Sequence, residues 1–334
     1  MKRIVMIFTG GTISMTIDPV SGGAVPSLNG DQILSRMKDI AQLAEIEFRE
    51  FGKFPGPHVT PSMMMQIAKI AEVECARDDV EGVIITHGTD TLEETAYFLD
   101  LVLRTDKPVL LVGSMNHSED PEWDGPANIR DAMLVLLSGQ FRGLGVLSCL
   151  SGDINAASEV TKTHTLQRDT FMSFDFGPVG RIFEGRPVFL RKPFIHDHIG
   201  MVDPVEPVHI LKCYSGMDII PFESCITGGV RGLVVEAMGT GNVPPLAFDG
   251  IVKVLEAGIP VVLVSRCPRG VTDDVYGYYG AGRNLHAAGV IFAPYLNGQK
   301  ARIKLMLALA TAPDARTLQQ MFERTESDAT GSLG

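Results

Sequence analysis

Ile4-Val5-Met6-Ile7-Phe8-Thr9-Gly10-Gly11-Thr12-Ile13 is the stretch on which the fold turns. Its five leading apolar residues run without alternation, as in a strand buried on both faces of a parallel sheet. They stop at a glycine pair, which lets the backbone bend sharply and deliver the Thr12 hydroxyl at the strand's end. The pattern returns at 82–86, where a second apolar run leads into Thr86-His87-Gly88-Thr89-Asp90-Thr91. In an open α/β sheet the carboxyl ends of the strands line the crevice where ligands bind. The two loops are therefore expected to meet at one site.

Outward from these loops the chain alternates between the two periods. Strands are predicted over 46–51, 108–112 and 145–150, and helices over 31–43, 62–76, 92–104 and 126–138. Asp31 is read as the cap of the first helix, with Ile33, Leu34, Met37, Ile40 and Ala41 on one face. Met63, Met64 and Met65 read as core filler. Residues 15–29 show no period and suggest a lid or binding loop. Residues 174–190, broken at Gly177-Pro178 and at Glu184-Gly185-Arg186-Pro187, read as a β-hairpin.

The fold class that follows is α/β with two doubly wound domains. The larger, 1–190, carries a parallel sheet and the hairpin. A linker is read over 191–207, where prolines and two close histidines show no period. The smaller α/β domain, 208–334, has predicted strands at 208–213, 232–236, 260–265 and 289–293. Its predicted helices lie at 245–257, 299–310 and 315–323, and the last ten or so residues are expected to fray. At 334 residues two domains are the natural division.

Bulk properties exclude several classes. The formal charge is −11, with no long run of either sign, which argues against nucleic acid or an anionic membrane as partner. No segment approaches the roughly 20 apolar residues of a membrane span, and the N-terminus carries no leader-like hydrophobic region. The five cysteines, Cys75, Cys149, Cys213, Cys225 and Cys267, are odd in number and form no CxxC pair. They read as reduced thiols of a cytoplasmic protein.

Taken alone, Thr12 reads as a capping or turn threonine. Paired with Thr89 and the neighbouring Asp90, it becomes a candidate nucleophile, because an alcohol needs a base within hydrogen-bond reach. Lys162, in Thr161-Lys162-Thr163, is the candidate base; the competing reading is a solvated surface lysine. Glu93 and Glu94 read as structural charges in a first helical turn, and His87 as a residue that orients the turn.

The segments Thr9-Gly10-Gly11-Thr12-Ile13 and His87-Gly88-Thr89-Asp90-Thr91-Leu92-Glu93-Glu94-Thr95 resemble the two signature motifs of the bacterial L-asparaginase (asparaginase/glutaminase) family. The similarity continues through Val112-Gly113-Ser114-Met115, Asp124-Gly125-Pro126 and Val160-Thr161-Lys162-Thr163. It extends to Gly239-Thr240-Gly241-Asn242 and Gly298-Gln299-Lys300-Ala301-Arg302. The resemblance implies an amidohydrolase that converts a side-chain amide to a carboxylate and ammonia without metal or cofactor. It implies a Thr12 acyl-enzyme, a proton relay of Thr89, Lys162 and Asp90, and oxyanion donors from the backbone near Thr89 and at Ser114. Asp90 would also hold the substrate's α-amino group. Asn242, with an acidic residue at Asp273 or Asp274, would complete the site across a dimer interface. The family implies self-association as a dimer or tetramer.

Two departures bear on the substrate. The family places a tyrosine on the loop after the first motif, where this chain has Ala24. The family also binds the substrate's α-carboxylate with a serine followed by Gln or Asn, where this chain reads Gly56-Pro57-His58. His58 stands as either a carboxylate ligand or an ordinary loop histidine. L-asparagine is thus the first substrate expected. The alternatives are the same chemistry on D-asparagine, glutamine or a substituted amide, or a non-catalytic amino-acid sensor that keeps the cleft.

Overall fold

The structure, a computed structural model, describes residues 2–37 and 40–323. It divides into two compact units, Met1–Met201 and Val202–Gly334.

In the first unit β1 (Arg3–Gly10) is followed by a small hairpin of β2 (Met15–Ile17) and β3 (Ala24–Pro26), then α1 (Gly30–Ser35). Next come β4 (Glu45–Phe54), α2 (Pro61–Cys75), β5 (Val80–Thr86), α3 (Leu92–Val102), β6 (Val109–Val112), α4 (Gly125–Ser138) and β7 (Val146–Leu150). The chain continues through β8 (Asp153–Ala156), β9 (Thr161–Lys162), β10 (Phe171–Met172), β11 (Gly180–Phe183) and β12 (Arg186–Phe189). The main sheet has the order β12-β11-β8-β7-β6-β5-β1-β4. From β4 to β7 it is parallel, and β8, β11 and β12 join antiparallel.

This order has a topological switch. The chain leaves β1 for β4 on one side, then crosses back to β5 on the other, so strand order reverses between β1 and β5. That is where an open α/β sheet places its ligand crevice. The core explains why the sheet forms here. Ile4, Met6, Phe8, Ile84, Leu110 and Val112 point to one face and are fully or almost fully buried against Ile129, Ala132, Met133 and Leu136 of α4. The alternate residues, such as Val5, Ile7, Val83 and Ile85, are equally buried on the other face. Both faces are covered, which accounts for the unbroken apolar runs.

The second unit holds the parallel sheet β13-β14-β15-β16, from β13 (Val208–Lys212), β14 (Gly232–Ala237), β15 (Val261–Ser265) and β16 (Ile291–Phe292). Its helices are α5 (Ile220–Thr227), α6 (Pro245–Glu256), α7 (Gly282–Ala287), α8 (Gly298–Thr311) and α9 (Ala315–Glu323). Phe222, Leu233, Val235, Ala247, Ile251 and Leu263 form its core.

Several expectations are corrected. The helix read over 31–43 is only Gly30–Ser35, and its cap is Asn29, not Asp31. Asn29 and Gln32 form a reciprocal capping box. A separate 3-10 turn spans Ile40–Gln42. Lys38, Asp39 and the side chain of Ala41, which the longer reading included, lie outside the described residues, as do the terminal residues 324–334 expected to fray. The 15–29 segment, read as a lid or binding loop, contains the β2–β3 hairpin; strands of three residues are too short to show alternation. The antiparallel strand β8, the β9–β10 pair, α5 and α7 were not anticipated.

Candidate active site

The site grows from the carboxyl ends of β1, β5, β4 and β6. Phe8 pairs with Thr86, and Thr86 with Val112, so the loops leave the sheet nearly level. Thr9 Oγ1 donates to Thr86 O at 2.7 Å and locks β1 to β5 where both strands end. Beyond this point the loops touch through glycines. A Cβ at Gly11 would lie 2.5 Å from Gly88 N, and one at Gly88 would lie 2.5 Å from Gly56 N. No side chain fits in either gap. Gly11 also has φ 80° and ψ 179°, a conformation essentially confined to glycine. Each contacting glycine is followed by a candidate residue: Gly11 by Thr12, and Gly88 by Thr89. The close approach thus brings the two threonine loops side by side.

Thr12 opens a short 3-10 turn, Thr12–Ser14, whose cap is Gly11. Ser14 closes the turn, its N and Oγ donating to Gly11 O at 3.0 and 2.9 Å. Ile13 is buried in the core and anchors the turn. Thr12 is therefore no cap. Among the described residues its partly exposed hydroxyl is committed to no hydrogen bond.

Lys162 joins the second loop directly. Its Nζ donates to Thr89 Oγ1 at 2.9 Å and to Asp90 Oδ1 at 2.8 Å. The Lys162 side chain is mostly covered, 15% exposed, whereas that of Asp90 is 62% exposed. The ion pair therefore has a mostly covered amine and a solvent-facing carboxylate. Thr89 is buried, and its methyl rests on Gly113, where a Cβ would approach Thr89 Cγ2 to 2.9 Å. The surface-lysine reading of Lys162 is set aside by this geometry.

His87 is fully buried. Its Nδ1 pairs with Gly88 O at 2.9 Å and its Nε2 with Thr95 Oγ1 at 2.9 Å. Burial pushes its pKa down to about 4, against a smaller upward pull from the Gly88 carbonyl. A neutral ring thus staples the loop to the first turn of α3.

Ser114 is buried, and its single hydroxyl proton is shared between Asp124 Oδ1 at 2.7 Å and the Asn116 carbonyl. Asp124 also accepts from Met115 N and Asn116 N, at 3.1 and 3.0 Å, and from Asn128 Nδ2 at 3.1 Å. The Ser114 side chain is thereby spent on shaping its own loop. What it can offer a ligand is main chain.

The remaining candidates sit differently. His58 is exposed on a 3-10 turn, Gly56–His58, whose Gly56 touches Gly88 and accepts from Thr91 Oγ1 at 2.7 Å. Pro57 is exposed beside it, without hydroxyl or N–H. Ala24 is exposed on β3, opposite Ile17. Asn242 belongs to the second unit, in a tight turn after β14 where its backbone pairs with Met238. In the same unit Asp273 N donates to Thr240 O at 2.7 Å, and Asp274 pairs with His286 at 3.1 Å.

One contact was missed. Glu93, expected only to complement a helix end, is 5% exposed and accepts from Thr161 Oγ1 at 3.1 Å and Lys162 N at 3.4 Å. The link spans 68 positions for Thr161, and no local pattern announces it. Among the described residues no group of three His, Cys, Asp or Glu side chains is arranged to hold a metal ion. No described helix is long and apolar enough to cross a membrane.

Comparison with known proteins covers both units. The family model "Asparaginase, N-terminal" matches residues 3–195, and "Glutaminase/Asparaginase C-terminal domain" matches residues 207–322. A "Probable L-asparaginase" of Deinococcus radiodurans is 37% identical over 333 residues, covering 96% of this chain and 97% of that one. A "Probable L-asparaginase periplasmic" of Haemophilus influenzae is 31% identical over 338 residues, covering 97% of this chain and 93% of that one. Among solved structures, a "Probable Cytoplasmic L-asparaginase from Campylobacter jejuni" aligns with a TM-score of 0.86 at 31% identity, covering 96% of this chain and 99% of that one.

Proposed function

The chain belongs to the asparaginase family of amidohydrolases, and from that premise we propose that it hydrolyses the side-chain amide of L-asparagine to aspartate and ammonia through a Thr12 acyl-enzyme. The observation that carries the mechanism is the Lys162 amine held between Thr89 Oγ1 and Asp90 Oδ1 at 2.9 and 2.8 Å, on the loop that Gly88 packs against Gly11.

Thr12 Oγ1 attacks the amide carbon, and its proton passes to the departing nitrogen. The C–N bond breaks, ammonia leaves, and the acyl group remains as an ester on Thr12. Water then attacks the ester carbon, restoring the Thr12 hydroxyl and releasing the carboxylate. Lys162 Nζ passes one of its protons to Asp90 Oδ1 at 2.8 Å, and the freed lone pair takes the proton leaving Thr89 or its water at 2.9 Å. Main-chain donors near Thr89 and at Ser114 stabilise the oxyanion, a contribution of about 3 kcal/mol per donor in comparable sites. The exposed Asp90 carboxylate receives the substrate's ammonium. Asn242 and the acidic Asp273 or Asp274 complete the site in an oligomer. We read the domains as 1–190 and 208–334 about the linker, and the compartment as cytoplasmic; the five unpaired cysteines support the latter.

A second reading keeps this chemistry and changes the amide. It is favoured by Pro57 and Ala24, which offer no side-chain hydrogen bond at the positions where the resemblance implies a serine and a tyrosine. His58 is then the group left to meet a carboxylate.

Ammonia release from L-asparagine, D-asparagine, glutamine and substituted amides tests both readings. Turnover of L-asparagine that Thr12→Ala abolishes supports the first, and turnover of another amide alone supports the second. Calorimetric binding with no ammonia from any amide would make the protein a sensor.

A further inference from the structure

We propose that Glu93 is a positioning residue for Lys162: its buried carboxylate ties the segment carrying the lysine to the helix whose entrance carries Thr89 and Asp90. The inference rests on the function proposed above and names a residue that sets its geometry. Strand β9 is two residues long: its ladder pairs Lys162 with Phe171 and Thr161 with Met172, and Thr163 extends it by donating from N and Oγ1 to Thr170 O at 2.8 and 2.9 Å. So short a ladder does not fix a strand's position by itself. The lysine stem is long and rotamer-rich, so where Nζ comes to rest depends on where its backbone is anchored. The bonds to Phe171, Met172 and Thr170 join β9 to β10 alone; Glu93 supplies its anchor to α3. One of its oxygens, Oε1, accepts from Thr161 Oγ1 at 3.1 Å and from Lys162 N at 3.4 Å.

A carboxylate only 5% exposed is costly unless it is hydrogen-bonded. Its place in the first turn of α3, where the helix dipole favours negative charge, lowers that cost. The same helix end follows directly on Thr89 and Asp90. Both ends of the 2.9 and 2.8 Å contacts of Lys162 are therefore referenced to one rigid element. A drift of β9 by an ångström would break both.

The test compares Glu93→Ala, Glu93→Gln, Thr161→Val and the Ala/Val double variant in the ammonia assay and by crystallography. Glu93→Ala is expected to lower kcat by about 10²-fold with KM nearly unchanged. Glu93→Gln, which keeps an acceptor oxygen, is expected to recover most of the loss. Thr161→Val should lower kcat by a smaller factor, and the double variant should be no worse than Glu93→Ala alone, since both cut the same tie. In crystals of Glu93→Ala the Lys162 Nζ–Thr89 Oγ1 separation is expected to exceed hydrogen-bond reach. Wild-type kcat in Glu93→Ala, a Gln variant as impaired as Ala, or an unmoved lysine would each overturn the proposal. Should Glu93→Ala fail to fold, unchanged kcat in Thr161→Val overturns it. If the wild type releases no ammonia from any amide, the functional reading fails by itself, and the crystallographic separation still decides the tie.

Discussion

Lys162 Nζ donates to Thr89 Oγ1 at 2.9 Å although 73 positions separate the two residues. Everything between them, including β6, α4, β7 and β8, serves to bring that amine back over the end of β5. The contact unites a buried hydroxyl, a covered amine and, through Asp90, a solvent-facing carboxylate at the strand-order reversal between β1 and β5.

Gly11→Ala is expected to destabilise the first unit by roughly 3 kcal/mol and to abolish activity. Its φ of 80° with ψ of 179° excludes a side chain, and the added Cβ would strike Gly88 N at 2.5 Å. Urea denaturation with a parallel ammonia assay checks this. A variant of wild-type stability would show that the two loops do not need this approach.

His87 predicts an acid-side loss of stability. Its pKa is lowered in the folded state to about 4, from an ordinary value near 6.5. Between those values the unfolded chain binds the proton and the folded chain does not, so stability falls as pH drops through that window. The contribution is at most about 1.4 kcal/mol per pH unit, and it levels off below pH 4. Denaturant midpoints of the wild type and His87→Gln across pH 4–7 check it. The variant should show the shallower slope.

Ala24→Tyr is expected to raise turnover of L-asparagine. Position 24 is exposed on the β2–β3 hairpin that follows the Thr12 turn, and a phenol there restores the group the resemblance implies. Steady-state kinetics check this. An unchanged or lower kcat would mean that position 24 is not the equivalent of that tyrosine.

Much of this was legible in the sequence, for identifiable reasons. The strands Ile4 to Phe8 and 82–86 declare themselves because both faces of the sheet are covered, and a two-sided burial leaves an unbroken apolar run. Gly10, Gly11 and Gly88 mark where backbone must touch backbone. The β2–β3 hairpin was not legible, since three-residue strands carry no measurable alternation. The first helix ends earlier than its spacing implies, since Ile33, Leu34, Met37 and Ile40 keep helical spacing past the end at Ser35. The Asn29–Gln32 capping box was the available signal for its start. Glu93 escaped for a different reason. Its helix-end charge is a sufficient local explanation, and its grip on Thr161 and Lys162 exists only after β9 has folded back.

In the proposed mechanism Thr12 Oγ1 is the atom that takes the acyl group. Peptide mapping by mass spectrometry, after acid quench of the protein turning over L-asparagine, reads this directly. The account predicts an acyl adduct on the peptide containing Thr12, absent in Thr12→Ala together with ammonia release. An adduct on Thr89 instead, or undiminished turnover in Thr12→Ala, would contradict it.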